Sequence, residues 1–205
     1  MNQIIKILKN ILHIISSPRA DESISLKLGN AIVARLRDTH FDAEVKEVNL
    51  SENPFPHLNT SLVQAIAGLS EDAEQQALLL ERSDKAVKDL LEADTVVISL
   101  PFLNFGVPSV LKSWLDHIIR AGLTFSYGAN GPIGLVTGKK VYLAMASGGV
   151  YSEGPMQAYD HAIPYLTDVL SFLGLTDISV IRAEGTKVPG LKEIALEKAI
   201  AAIEI

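Results

Sequence analysis

The run Asp94-Thr95-Val96-Val97-Ile98-Ser99-Leu100 is apolar on both faces, without the alternation of a half-solvated strand. Such a strand belongs in the middle of a parallel sheet, covered on both sides. Its neighbours in the sequence fit that position. Before it, residues 71–92 are rich in Glu, Ala, Leu, Lys and Gln, carry no Gly or Pro, and read as helix. After it, Pro108 opens a helix with Val110, Leu111, Trp114, Leu115 and Ile118 on one side. Further strands are expected at residues 11–16, 43–50, 140–146 and 178–182. Leu26, Leu28, Ile32, Val33 and Leu36 recur at helical spacing, with Ser23 or Ser25 as the cap. Residues 157–173 read as a helix with Pro164 as a kink or first-turn residue, and residues 190–204 as the last helix. The Gly-rich residues 122–138 read as a long ordered loop. Strands and helices alternate throughout, which implies an α/β fold with one doubly wound parallel sheet. No linker or repeat divides residues 1–205, so a single domain is expected, with residues 1–8 as an N-terminal extension.

Composition narrows the function. The chain has 205 residues, 48% of them hydrophobic, enough for a well-buried core. Its net charge is −6 and no block of Lys and Arg stands out, which disfavours general nucleic-acid binding. With no cysteine, disulfides, thiolate metal sites, iron–sulfur clusters and a cysteine nucleophile are all excluded. No run of ~20 apolar residues occurs, so a membrane span is not expected. The start Met1–Asn10 is basic and apolar, but no small-residue cleavage site follows it. A cytoplasmic location is expected.

Ligands of doubly wound sheets bind beyond the carboxyl ends of the strands, where the strand order reverses. Three loops are placed there. The first, Ser17-Pro18-Arg19-Ala20-Asp21-Glu22-Ser23-Ile24-Ser25, runs into a helix, whose free N–H groups suit a phosphate. It has no glycine, which disfavours a dinucleotide pyrophosphate and favours a single phosphate held by hydroxyls. The plainer alternative is Ser as helix cap and Arg19 as a solvated charge. The second, Leu100-Pro101-Phe102-Leu103-Asn104-Phe105-Gly106-Val107-Pro108, is apolar with one amide and suits a flat heteroaromatic ring, unless its aromatics are simply core. The third, Ala146-Ser147-Gly148-Gly149-Val150-Tyr151, allows close approach to the backbone, unless it is a plain flexible turn. Together they describe FMN better than NAD or ATP. Gly134-Leu135-Val136-Thr137-Gly138-Lys139-Lys140 is one residue short of a P-loop, lacks its Ser/Thr and leads into a strand. Strand three ends in Leu100-Pro101, not in a phosphoacceptor Asp.

These motifs, with Arg120-Ala121-Gly122-Leu123-Thr124-Phe125 and Asn130-Gly131-Pro132, resemble the FMN-dependent NADH azoreductases, also described as FMN-dependent NADH:quinone oxidoreductases. The resemblance runs from about Lys9 to the C-terminus. It implies a flavodoxin-like five-stranded sheet of order 2-1-3-4-5, a homodimer, and one FMN per subunit near the dimer interface. By position, it implies that Ser17, Arg19, Ser23, Ile24 and Ser25 lie at the FMN phosphate and ribityl chain. Pro101, Phe102, Leu103, Asn104 and Phe105 would lie along the flavin ring, and Ser147, Gly148 and Gly149 at its pyrimidine edge. Tyr127 and Phe172 match the aromatics on which substrates stack; their plainer roles are loop anchor and core aromatic. This chain departs from the family in three places. The Arg that precedes the paired glycines is missing, the usual Met-Tyr pair is Phe102-Leu103, and residues 1–8 extend past the usual start.

The resemblance implies ping-pong transfer of electrons from NADH or NADPH to quinones and aromatic azo compounds, with positioning residues and no side-chain nucleophile. A flavodoxin-type electron carrier without NADH oxidation is the alternative. The five histidines are too scattered for a metal site. His13 and His117 read as structural, His40 and His57 as surface, and His161, near the third loop, as the best placed proton donor.

Overall fold

The computed structural model describes residues 10–70 and 72–205. The expected N-terminal extension at 1–8 lies outside them. Its centre is a five-stranded parallel sheet built from β1 (Asn10–Ile15), β2 (Glu44–Asn49), β3 (Thr95–Pro101), β6 (Lys140–Ala146) and β7 (Asp177–Ala183). The spatial order is β2-β1-β3-β6-β7, which is 2-1-3-4-5 among the sheet strands, as expected. β3 is in the middle, and Thr95 to Leu100 are all buried.

Period-two alternation divides β1 between two layers. Leu12 and Ile14 join the core beneath α3 (Ala73–Glu92), α4 (Ser109–Ile118) and α5 (Ala162–Phe172). Ile11 joins the core beneath α1 (Ile24–Thr39) and α6 (Ala195–Ala201). His13 shares the α1 side and is fully buried, its Nε2 2.8 Å from Ser99 Oγ. Helix α1 approaches this polar pair closely because residue 29 is glycine. A Cβ there would lie 1.9 Å from Ser99 Oγ and 2.8 Å from His13 Nε2.

Local signals mark the helix starts. Ser23 caps α1 by accepting from Leu26 N, and Asp72 caps α3 by accepting from Glu74 and Gln75 N. Asp160 accepts from the first N–H groups of α5, Ala162 and Ile163, both at 3.1 Å. That helix therefore starts at Ala162 rather than 157. Residues 154–159 form a separate 3-10 turn, and Pro164 lies in the first helical turn, where its missing N–H is tolerated.

One helix was not foreseen, and two other expectations are corrected. Residues 60–66 form a short helix, α2 (Thr60–Ile66), capped by Asn59 and buried against Leu80 in a small satellite cluster. The last helix is only Ala195–Ala201, because turns from Val188 to Ile194 replace its first half. The loop expected at 122–138 contains an antiparallel hairpin, β4 (Phe125–Gly128) with β5 (Gly131–Gly134). Its glycines and Pro132 give it low β-propensity, and tertiary contact holds it. Gly134 presses on the end of α5, where a Cβ would meet Gly174 N at 2.2 Å. Among the described residues, no helix is long and apolar enough to cross a membrane.

Candidate active site

The loops after β1, β3 and β6 lie side by side because those strands are neighbours, ~5 Å apart. Backbone hydrogen bonds join them in series. Ser16 N donates to Ser99 O at 3.0 Å, which ties the first loop to the end of β3. Phe102 N donates to Ala146 O at 2.7 Å, which ties the second loop to the third. The third is then clamped by the segment after β7. Gly185 N, Thr186 N and Lys187 N donate to Gly149, Ser147 and Gly148 carbonyls at 3.0–3.1 Å. The stem of Lys187 covers Gly148, 3.1 Å from where a Cβ would stand.

In the first loop, Ser17, Ser23 and Ser25 are buried. Ser17 Oγ accepts from Arg19 N at 3.3 Å, and Ser23 Oγ lies 3.0 Å from Ser25 Oγ. Ser23 satisfies Leu26 N with its side chain and Lys27 N with its carbonyl. The N–H groups of Ile24 and Ser25, at the very start of α1, are the ones an anion can take. Ser23 thus caps the helix and stands beside these two N–H groups. The Arg19 side chain is 63% exposed and pairs with Glu22 at 3.5 Å.

The second loop carries strain. Leu103 and Gly106 exchange backbone hydrogen bonds of 3.2 and 2.9 Å around a two-residue turn at Asn104 and Phe105. Both residues are left-handed, with φ of 48° and 67°. Asn tolerates that region; Phe rarely adopts it. Among the described residues, three non-glycine residues have positive φ, and all of them (Ala20, Asn104, Phe105) lie in the first two loops. Strain gathered in this way is characteristic of binding sites. The turn holds Asn104 and Phe105 exposed at the sheet's rim.

The third loop adds a residue that the sequence reading gave no role. Tyr151 packs its ring 4.3 Å from Phe102 and 6.4 Å from Phe105, and Phe105 lies 5.3 Å from Tyr159. Four aromatics from three segments thus form one wall. An aromatic placed directly after Gly-Gly was the available signal. Glu184 fixes this segment by accepting from Tyr151 N at 2.8 Å and Ser152 N at 3.0 Å. Arg182 links Glu184 at 3.5 Å to Asp160 at 2.7 Å, joining β7 to the start of α5. His161 is exposed beside this wall, and its backbone N donates to Phe105 O at 3.2 Å.

Among the described residues, no ring contact joins Tyr127 or Phe172 to this wall. They form another aromatic group, with Phe125 between them at 5.5 and 4.7 Å. Tyr127 is 77% exposed, so it does not anchor the hairpin. His13 and His117 are buried and structural, as expected. Burial lowers the His13 pKa to about 4. Burial also lowers that of His117, opposed by its hydrogen bond to Pro56 O.

The flavodoxin-like fold family matches residues 9–204. An FMN-dependent NADH:quinone oxidoreductase of Agrobacterium fabrum is 44% identical over 96% of this chain and 95% of its own length. The chain belongs to the FMN-dependent NADH:quinone oxidoreductase and azoreductase family. Solved structures of this family agree. An azoreductase from Bacillus anthracis superposes with a TM-score of 0.84 at 32% identity, covering 95% of this chain and 98% of its own. An FMN-dependent NADH-azoreductase from Bacillus anthracis, determined in complex with FMN, superposes at 0.83 with 28% identity, covering 95% and 97%.

Proposed function

We propose that this oxidoreductase holds FMN across its three loops and transfers electrons from NADH or NADPH to quinones and aromatic azo compounds. One observation carries the reading: a loop running into a helix start, a strained amide-bearing turn and a glycine pair are joined by backbone hydrogen bonds along one rim of the sheet. Free N–H groups in one loop beside an apolar, amide-bearing turn in the next suit a mononucleotide with an anionic tail and a flat head. When bound, FMN would supply the two-electron redox chemistry between nicotinamide and acceptor.

The chain's own residues do the positioning. Ile24 and Ser25 N–H, with the Ser17 and Ser23 hydroxyls, hold the phosphate. Pro101–Phe105 lie along the ring, with the Asn104 side chain held at its edge by the left-handed turn. Ser147, Gly148 and Gly149 take the pyrimidine edge, where backbone N–H groups stabilise negative charge by dipoles already aimed at it. Arg19, exposed and paired with Glu22, adds charge to the approach without gripping the phosphate. No side-chain nucleophile is required. One place used by nicotinamide and acceptor in turn would give ping-pong kinetics.

Tyr127, Ile133 and Leu135 on and beside the hairpin are 77%, 54% and 41% exposed, and Leu103 and Phe105 are 44% and 43% exposed. So much surface apolar area favours a second copy of the chain as its cover. A homodimer would set Tyr127, and Phe172 behind it, beside a ring. The test is anaerobic. NADH should bleach the yellow FMN-loaded protein, and a quinone added afterwards should restore the colour. Steady-state rates should give parallel double-reciprocal lines, and sedimentation a dimer. Failure of the apoprotein to bind FMN, or a yellow protein that NADH and NADPH leave unbleached, overturns the proposal.

A further inference from the structure

A cavity of about 390 Å³ lies where β2 and α3 diverge at the edge of the sheet. Its volume is in the range of small-molecule sites. Leu12, Ile14, Phe55 and Trp114 give it an apolar floor. Cations dominate its rim. Lys46 and Lys85, the latter at 3.1 Å, both bind one buried carboxylate, Asp89. Arg82 stacks over the Phe55 ring at 4.5 Å, and its guanidinium donates to Pro54 O at 2.9 Å and Asn53 O at 3.0 Å. Both acceptors are neutral carbonyls, so the Arg82 charge is not compensated by them. Glu47 also borders the cavity, but its carboxylate reaches to the other face of the sheet, 3.8 Å from His13 Nδ1. Lys46, Lys85 and Arg82 against Asp89 and Glu47 leave one positive charge in excess at this opening, on a chain whose net charge is −6.

An apolar floor beneath an excess of cations suits one chemical class. We propose that this cavity is a binding site for small amphipathic anions, with an aryl or alkyl body on Trp114 and Phe55 and a carboxylate or sulfonate at Arg82 and Lys85. The site is separate from the three-loop rim and does not depend on the redox reading. Fixing Arg82 by stacking and two carbonyl bonds before any ligand arrives lowers the ordering cost of binding.

Trp114 is the only tryptophan in the chain, so its indole N–H gives a single, assignable signal. Naphthalene-2-sulfonate is titrated into the FMN-saturated, ¹⁵N-labelled protein, with calorimetry in parallel. A saturable one-site shift of the indole peak is expected. The neutral analogue 2-naphthalenemethanol should bind about tenfold more weakly, as loss of a charge-assisted hydrogen bond predicts, and Arg82→Gln should weaken the sulfonate by a similar factor. Ala86→Leu, which projects into the cavity, should abolish binding. An indole peak that does not move overturns the proposal. Equal affinity for the neutral analogue, or unchanged sulfonate binding in either variant, does so too. If Ala86→Leu does not fold, the sulfonate against the neutral analogue on the parent protein decides.

Discussion

The rings of Phe102 and Tyr151 stand 4.3 Å apart at an angle of 46°, although they follow different strands. Their contact closes the gap between the second and third loops above the Phe102 N–H···O=C Ala146 bond. An aromatic pair of this kind contributes ~0.5–1.5 kcal/mol beyond its buried area. Tyr151→Ala should therefore weaken FMN binding about tenfold, read by quenching of flavin fluorescence on titration, while Tyr151→Phe should bind normally. An unchanged Kd in Tyr151→Ala would detach this wall from the cofactor site.

Asn104 combines an amide with a left-handed backbone, and two substitutions separate them. Asn104→Gly keeps the turn and removes the amide; Asn104→Ala removes the amide and, with it, the local side-chain hydrogen bonding that lets Asn tolerate this left-handed backbone. If the amide acts on the ring, stopped-flow reduction by NADH should slow in both variants. If only the turn matters, Asn104→Gly should be reduced at the parent rate.

Ser17 is 3% exposed, in the loop that runs into α1. Loss of a hydroxyl bonded to a charged phosphate costs ~1.5–3 kcal/mol. Ser17→Ala should lose FMN on dilution or gel filtration at least ten times more readily than the parent. Equal retention would move the phosphate elsewhere in the loop.

His13 makes stability depend on acid. Its folded pKa is lowered by burial from 6.5 to about 4. Below pH 6.5 the unfolded chain takes up a proton that the folded chain refuses until about pH 4. The His13 contribution is therefore complete above pH 6.5 and falls by up to ~1.4 kcal/mol per pH unit as the pH drops across that window. Urea unfolding at pH 7, 6 and 5 should show the slope, and His13→Gln should flatten it. Parallel curves for the two proteins would contradict a neutral, buried His13.

Gly29→Ala places a methyl group 1.9 Å from Ser99 Oγ. Overpacking of this degree costs ~1–3 kcal/mol, because α1 must lift or Ser99 and His13 must turn. The midpoint of urea denaturation should fall, with FMN affinity falling as the first loop moves with α1. A variant as stable as the parent would show that the helix seats more loosely than the geometry indicates.

The sheet was legible because its strands announce themselves. Val96 to Leu100 could only be a covered parallel strand, and the helix formers before it could only be α3. The hairpin at Phe125–Gly134 was not legible, because Gly128, Gly131, Pro132 and Gly134 have turn composition and are held as strands by contact with α5. The short α2 was missed for a similar reason: its seven residues are too few to declare themselves without Leu80 beneath them. The three loops could be placed at one rim from the element order alone. What Arg19 does could not be read, since a charge in a loop points wherever solvent and Glu22 allow.

Local and periodic information therefore sufficed for the elements, their alternation, and the chemistry of each loop, since each depends on residues within a few positions of one another. Tertiary structure alone decided the left-handed turn at Asn104 and Phe105, the aromatic wall completed by Tyr151, the close fit of Gly29 on His13, and the cationic cavity over Trp114. Each of these joins residues tens of positions apart or fixes a backbone conformation that the chain does not favour locally. Only the packed sheet, by holding strands in register, supplies the free energy that keeps them there.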